Sequence, residues 1–142
     1  MRVSHRMFFC RIADSEGLFW VMVLVTSNKE KQVLFVSYIG RVRPEELARA
    51  VEDSKTLLDE LRPGFISLVD LTNLEAMELD CAPGLGRMME SIDQRGVGMV
   101  VRVIPDPTKD IGINILTLFH YTHRPKIVTC KNMTEAATHL AL

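Results

Sequence analysis

The chain has 142 residues, of which 47% are hydrophobic and 25% charged, and its formal net charge is −1. This length suits one ordinary domain, and the near-neutral charge offers no basic surplus for binding nucleic-acid phosphates. The longest apolar run, residues 18–25, is too short to cross a bilayer as a helix, so no membrane insertion is expected.

The cysteines exclude two further classes of protein. Cys10, Cys81 and Cys130 are odd in number and lack CxxC spacing, which argues against a disulfide framework and against a zinc site. Free thiols of this kind favour a reducing, cytoplasmic setting.

Residues 1–17 show no clean period and are interpreted as an N-terminal arm. The arm is either loosely packed, or an artefact of a natural start farther along, at Met7 or Met22. Residues 18–142 are expected to form the domain itself.

The domain begins with two apolar runs, LFWVMVLV at 18–25 and VLFVSYIG at 33–40. Both are rich in strand-forming residues, and the charged segment between them suits a hairpin loop, so an antiparallel pair is expected. A helix follows from Pro44, with a stripe of residues at helical spacing: Leu47, Val51, Ser54, Leu58 and Leu61. The run 65–71 is then a buried strand, parallel to the previous one because a helix connects them.

The remaining elements continue to alternate. A helix is predicted over 83–95, a strand over 97–104, a third helix from Asp106 to near His123, a strand over 126–130, and a last helix capped by Asn132. The order β-β-α-β-α-β-α-β-α predicts an α/β fold. Its sheet is mixed and mostly parallel, with an N-terminal antiparallel hairpin and about four helices packed against it.

The stretch 65–86, FISLVDLTNLEAMELDCAPGLG, combines a buried strand, an exposed loop and a helix start. Loops that leave the carboxyl ends of parallel strands are where ligands and partners bind. Leu74, Met77 and Leu79 lie in this loop. They form an exposed apolar patch if the loop faces solvent, and part of the core if it folds back onto the sheet.

With these elements the sequence resembles the STAS domain, in the SpoIIAA-like branch of the anti-sigma-factor antagonists, over residues 18–142. In the antagonists the corresponding loop carries Asp-Ser-Ser-Gly-Leu-Gly and opens a helix; here it reads Asp80, Cys81, Ala82, Pro83, Gly84, Leu85, Gly86. The family's phosphorylated serine falls on Cys81 or Ala82, and Pro83 is extra. Because neither residue has a hydroxyl, the resemblance carries over the fold and the binding edge without the standard serine phospho-switch.

Several residues suggest chemistry, and each has a simpler interpretation. A thiol at a helix start can be a nucleophile, but Cys81 has no histidine nearby in sequence and is interpreted as a packed residue at a tight turn. Asp70 and Asp80 could act as an acid and a base, but are expected to cap the strand-end loop and the second helix.

His120 and His123 could share a metal, but no third ligand is evident, and histidines are favoured in the last turn of any helix. Gly84 and Gly86 could cradle an anion, but close backbone packing is preferred. No metal and no cofactor are therefore expected.

The preferred function is that of a non-enzymatic regulatory module acting by protein–protein contact. Its partner is either a second copy, giving a homodimer, or another protein, for which the resemblance suggests an anti-sigma-like kinase. The predicted contact residues are Thr72, Asn73, Leu74, Met77, Asp80, Cys81, Ala82, Gly84 and Leu85, with the face 111–119 of the third helix. A carrier of a small apolar ligand or lipid is the alternative, since some relatives in the SpoIIAA-like group look like such binders. An enzyme using Cys81 is the third.

Overall fold

The computed structural model describes the backbone of residues 3–14, 17–106, 117 and 120–140, and side chains from residue 22 onward within those ranges. Within these ranges, none of the helices combines the length and the apolar character needed to span a membrane.

One sheet of seven strands forms the centre of the described structure. Its strands are β1 Val3–Asp14, β2 Gly17–Asn28, β3 Val33–Val42, β4 Ile66–Asp70, β5 Leu74–Met77, β6 Met99–Val103 and β7 Lys126–Cys130. They lie in the order β1-β2-β3-β4-β6-β7, and β5 pairs with the end of β3 beyond the last residue of β4. The predicted antiparallel hairpin is β2–β3, and the predicted parallel pairing of β3 with β4 is confirmed, as is the mostly parallel sheet.

Strand β1 differs from the arm predicted over residues 1–17. It pairs antiparallel with β2 along its whole length, from Val3 opposite Asn28 to Asp14 opposite Gly17. The sequence VSHRMFFCRIAD hides this strand because both sets of alternate positions mix polar and apolar residues, so no period of two is visible.

Three α-helices lie in the described ranges: α1 Pro44–Leu58, α2 Ala82–Gln94 and α3 Met133–Leu140. A short 3-10 helix, Leu79–Cys81, leads directly into α2. Most of the predicted third helix lies outside the described residues. Among those of its residues that are described, Thr117 and His120 are helical. At α3 the predicted cap is confirmed: Oδ1 of Asn132 accepts a hydrogen bond from N–H of Glu135 at 2.9 Å.

The two faces of the sheet have separate cores. On one face, α1 and α2 bury Leu47, Leu57, Met88 and Ile92 against alternate strand residues such as Val100. On the other face, α3 buries Ala136 and Leu140 against a second set: Leu68, Val101, Val103 and Cys130. A strand covered on both faces reads as a continuous apolar run, which explains FISLVDL and VVRVI.

One arginine joins the two helices of the first face. The Arg95 side chain donates hydrogen bonds to the carbonyl oxygens of Leu58 at 2.8 Å and Leu61 at 2.8 Å, at the end of α1. Arg95 directly follows the last residue of α2, and the next residue, Gly96, takes a φ of +90° while its N–H donates a hydrogen bond to the carbonyl oxygen of Asp93 at 2.9 Å. These contacts fix where α2 lies on the sheet.

Candidate functional site

The corner, which we define as residues 72–85, connects β4 to α2 at the carboxyl end of the parallel strands. Its first turn is closed by Asp70, whose Oδ1 accepts hydrogen bonds from N–H of Thr72 at 2.9 Å and from the Thr72 hydroxyl. The carbonyl of Asn73 accepts a hydrogen bond from N–H of Gly40 at 3.0 Å. The predicted role of Asp70 as the cap of this turn is therefore confirmed.

The corner is less of a loop than the sequence predicted, because residues 74–77 form β5 against Gly40, Arg41 and Val42. This pairing divides the three apolar residues of the expected patch. Leu74 is buried in the core, Met77 is half-buried against it, and the Leu79 side chain is 93% exposed. The segment is therefore part of the core at Leu74 and an exposed apolar surface at Leu79, so each of the two interpretations holds for part of it.

Cys81 lies at the start of α2, but it is fully buried. Its Sγ–H donates to the carbonyl oxygen of Val42 at 3.4 Å. Burial, and after it the carboxylate of Asp80, raise the pKa of the Cys81 thiol. A nucleophilic cysteine needs the opposite shift, so these surroundings favour the packed residue over the enzyme.

Asp80 does not cap the second helix, and that prediction is wrong. The N-cap residues are Glu78 for the 3-10 helix and Cys81 for α2, and neither makes a side-chain cap hydrogen bond. The 3-10 turn moves the start of the helical segment ahead of Asp80, which leaves its carboxylate exposed to solvent.

Gly84 and Gly86 permit close packing of α2, as predicted. A Cβ at Gly84 would lie 2.8 Å from Cδ2 of Leu47 on α1. At Gly86 it would lie 2.6 Å from Cε1 of His120. Both distances are too short for a real Cβ, so each glycine allows a neighbouring element to approach the helix backbone.

Behind the corner lies an apolar cavity of about 350 Å³. Its floor is the sheet and its roof is α2, which contributes Ala82, Leu85, Met88, Met89 and Ile92. The wall on the side of β3 consists of corner residues: Leu74, Ala76, Met77, Glu78 and Leu79. Tyr38, Arg102 and Tyr121 also line it. This volume falls within the range of small-molecule sites.

The two predicted metal-ligand candidates are engaged with carboxylates of α2. Nδ1 of His120 lies 2.7 Å from Oε1 of Glu90, and Nδ1 of His123 lies 2.8 Å from Oδ2 of Asp93. Asp93 is 3% exposed and also accepts hydrogen bonds from the N–H and hydroxyl of Thr122, at 3.1 and 3.0 Å. The part of the chain that the structure describes has no group of three or more His, Cys, Asp or Glu side chains suited to a metal ion. Through these contacts the two histidines attach the segment 120–123, which contains Tyr121, to α2.

No protein-family model and no curated protein matches the sequence. Solved structures do match over nearly its whole length. An uncharacterized protein of the DUF3478 family from Shewanella loihica, described as having a SpoIIAA-like fold, has a TM-score of 0.60 at 12% identity, covering 96% of this chain and 94% of its own.

An anti-sigma factor antagonist from Mycobacterium paratuberculosis has a TM-score of 0.53 at 16% identity, over 92% of this chain and 100% of its own. The anti-sigma factor antagonist SpoIIAA in its unphosphorylated form has a TM-score of 0.54 at 12% identity, over 94% and 98%. This chain has the SpoIIAA-like fold.

On this SpoIIAA-like scaffold, the predicted contact residues separate into two groups. Thr72, Asn73 and Asp80 are exposed on the outer side of the corner. The others point inward or are partly covered: Leu74, Met77, Ala82 and Leu85 line the cavity, and Cys81 and Gly84 are buried. Their role in partner binding stays a prediction.

Sequence reasoning missed the polar residues of the cavity. Tyr38, Arg102 and Tyr121 come from β3, β6 and the turn after residue 120, so no local motif unites them. One signal was present: Arg102 interrupts the apolar strand VGMVVRVI, and a charged residue in a strand that is buried on both faces calls for a specific environment.

Proposed function

We propose that the protein is a non-enzymatic regulatory module that acts by protein–protein contact through the outer side of the corner. The observation that carries this proposal is Leu79, which is 93% exposed. An apolar side chain held out from a folded scaffold is the kind of anchor that enters a pocket on a partner. Thr72, Asn73 and Asp80 supply polar groups around it.

The fold supports the same function, because two of the similar structures are anti-sigma factor antagonists, which regulate by contact and not by catalysis. By that analogy the partner is an anti-sigma-like kinase, and a second copy is the other candidate. The reduced thiols Cys81 and Cys130 favour a cytoplasmic setting. Regulation by serine phosphorylation at the corner is not part of the proposal, since Cys81 and Ala82 stand at those positions.

The proposal is tested with a pair of matched variants. Leu79 and Met133 are both exposed apolar side chains, but Met133 lies on α3, on the opposite face of the sheet. We expect Leu79→Ser to weaken self-association or partner binding about thirtyfold, the loss of one contact of ~2 kcal/mol, and Met133→Ser to leave it unchanged.

Binding is measured by light scattering for self-association, and with a photo-crosslinker at position 79 for other partners. A strictly monomeric protein whose crosslinked partners all bind elsewhere would defeat the proposal. So would equal effects of the Leu79 and Met133 variants.

A second candidate function is that of a carrier or sensor of a small apolar molecule, which the cavity of about 350 Å³ favours. An apolar cavity of about 150 Å³ accommodates benzene, so this one has space for roughly a dozen carbon atoms. Native mass spectrometry of freshly purified protein tests it: a retained mass that denaturation releases supports ligand binding, and the bare chain mass after incubation with alkyl ligands counts against it.

A further inference from the structure

The cavity has different charges at its two ends. Among its described lining residues, the charged ones are Arg102 and Glu78. Arg102 is only 4% exposed and lies in the floor, whereas Glu78 is exposed on the corner. Of these two charged side chains, the positive one is buried and the negative one lies at the rim.

The sheet register places these ends apart. Arg102 on β6 lies in one cross-strand row with Val69 of β4 and Val36 of β3. The corner wall belongs to β5, which pairs with β3. That pairing involves residues 40–42 of β3, at least four residues beyond Val36, so at about 3.3 Å per residue the corner wall lies roughly 13 Å or more along the strands from the row of Arg102. Between the two ends, floor and roof are apolar.

Side chains around Arg102 hold its guanidinium in place. Its Nη1 and Nη2 donate to the hydroxyl oxygens of Thr117 at 3.2 Å and Thr129 at 3.1 Å. Tyr121 lines the same cavity, and burial raises its pKa well above the ordinary value, so its hydroxyl remains protonated and able to donate. A guanidinium with a nearby phenol is a donor set that suits a carboxylate.

We propose that the cavity binds a medium-chain carboxylic acid, with its carboxylate toward Arg102 and its alkyl chain between the sheet and α2. This inference rests on the second candidate function and specifies its ligand class. The alkyl chain packs against Val69, Val100 and Met88, and the carboxylate lies beside the buried guanidinium of Arg102. A ligand with a cationic head would place like charges together in a low-dielectric space.

Three ligands with the same chain test the proposal: decanoate, 1-decanol and decylammonium, each titrated into the full-length protein by calorimetry below its micelle concentration. We expect decanoate to bind at least tenfold more tightly than decanol, and decylammonium to bind weakest. Arg102→Gln should remove most of the preference for decanoate while decanol still binds.

A second pair of variants tests the location. Ala76 and Glu75 are neighbouring exposed residues of β5, but only Ala76 lines the cavity. Ala76→Trp should reduce decanoate binding at least tenfold, and Glu75→Trp should leave it unchanged. If Arg102→Gln does not fold, the comparison of the three ligands on the natural chain, together with the Ala76 and Glu75 variants, still decides the question.

The possible failures are distinct. Equal affinity for decanoate and decanol overturns the carboxylic acid but leaves apolar-ligand binding standing. Binding of none of the three, or binding that Ala76→Trp does not reduce, overturns the cavity as a ligand site altogether. Neither result affects the partner contact at Leu79.

Discussion

Asp93 allows a sharp test of how the wall of the cavity is held, because a similar pair one helical turn earlier serves as its control. Asp93 and Glu90 both lie on α2, and each contacts a histidine of the segment 120–123. Asp93 is 3% exposed and also bonds the N–H and hydroxyl of Thr122, whereas Glu90 is 49% exposed and has one histidine partner. The perturbation is Asp93→Ala, compared with Glu90→Ala.

The magnitude follows from the bonds lost. Removing the Asp93 carboxylate breaks two hydrogen bonds from Thr122, one with the His123 ring, and a longer one that N–H of His123 shares between the two carboxylate oxygens at 3.3 and 3.4 Å. At about 1 kcal/mol net for each of the three shorter bonds, the free energy of unfolding should fall by at least ~3 kcal/mol. The exposed pair at Glu90 should contribute below about 1 kcal/mol. For a domain of this size the larger loss lowers the melting temperature by roughly 10 °C.

Urea denaturation followed by circular dichroism measures both variants, and Asp93→Asn gives an intermediate check because its amide keeps one acceptor. Two alanine variants within 1 kcal/mol of each other would refute the reasoning. They would show that burial and the backbone contact of Asp93 add nothing beyond a surface ion pair.

Three further changes test other contacts. Arg95→Met should destabilise the fold by about 2 kcal/mol, since it removes the donors to the last carbonyls of α1; exposed Arg87→Met on the same helix is the control, and equal urea midpoints would contradict the assignment. Because burial raises the pKa of the Cys81 thiol above its ordinary 9.0, its contribution to stability is complete below pH 9 and is lost as pH rises further. The free energy of unfolding should therefore fall above pH 9, and less steeply in Cys81→Ala; equal slopes would argue against a buried thiol. Asn132→Ala should cost about 1 kcal/mol in thermal unfolding by loss of the α3 cap, and a loss below 0.3 kcal/mol would contradict that role.

The order of the strands and helices could be predicted where one periodicity dominated. The stripe from Leu47 to Leu58 and the run FISLVDL each have one structural solution, and a connecting helix then requires parallel strands. Strand β1 has no such pattern, and β5 is a four-residue strand with two exposed side chains, Glu75 and Ala76. Both strands form because a neighbouring strand offers backbone hydrogen bonds: β2 for β1, and β3 for β5. The residues of β1 and β5 alone do not indicate that these partners are present.

The candidate site was predictable on its outer side and not on its inner side. A polar loop after a buried strand indicates an exposed corner, and Thr72, Asn73 and Asp80 are exposed. The cavity depends on side chains that are up to 85 positions apart, from Val36 to Tyr121, and on how far α2 lies above the sheet. That height is set by Gly84, Gly86 and Arg95, whose partners are distant in sequence.

The corner borders the cavity on one side and the solvent on the other, so binding on the two sides can be coupled, and such coupling is reciprocal. Leu74 and Met77 border the cavity from within, while Asp80 and most of Leu79 meet the solvent a few residues away. If a ligand in the cavity favours one conformation of this short segment, it changes the affinity of the corner for its partner. The partner then changes the affinity of the cavity for the ligand by the same factor. Partner binding by a chain that lacks a phosphorylatable serine at the corner would then be regulated by the concentration of the cavity ligand in place of phosphorylation.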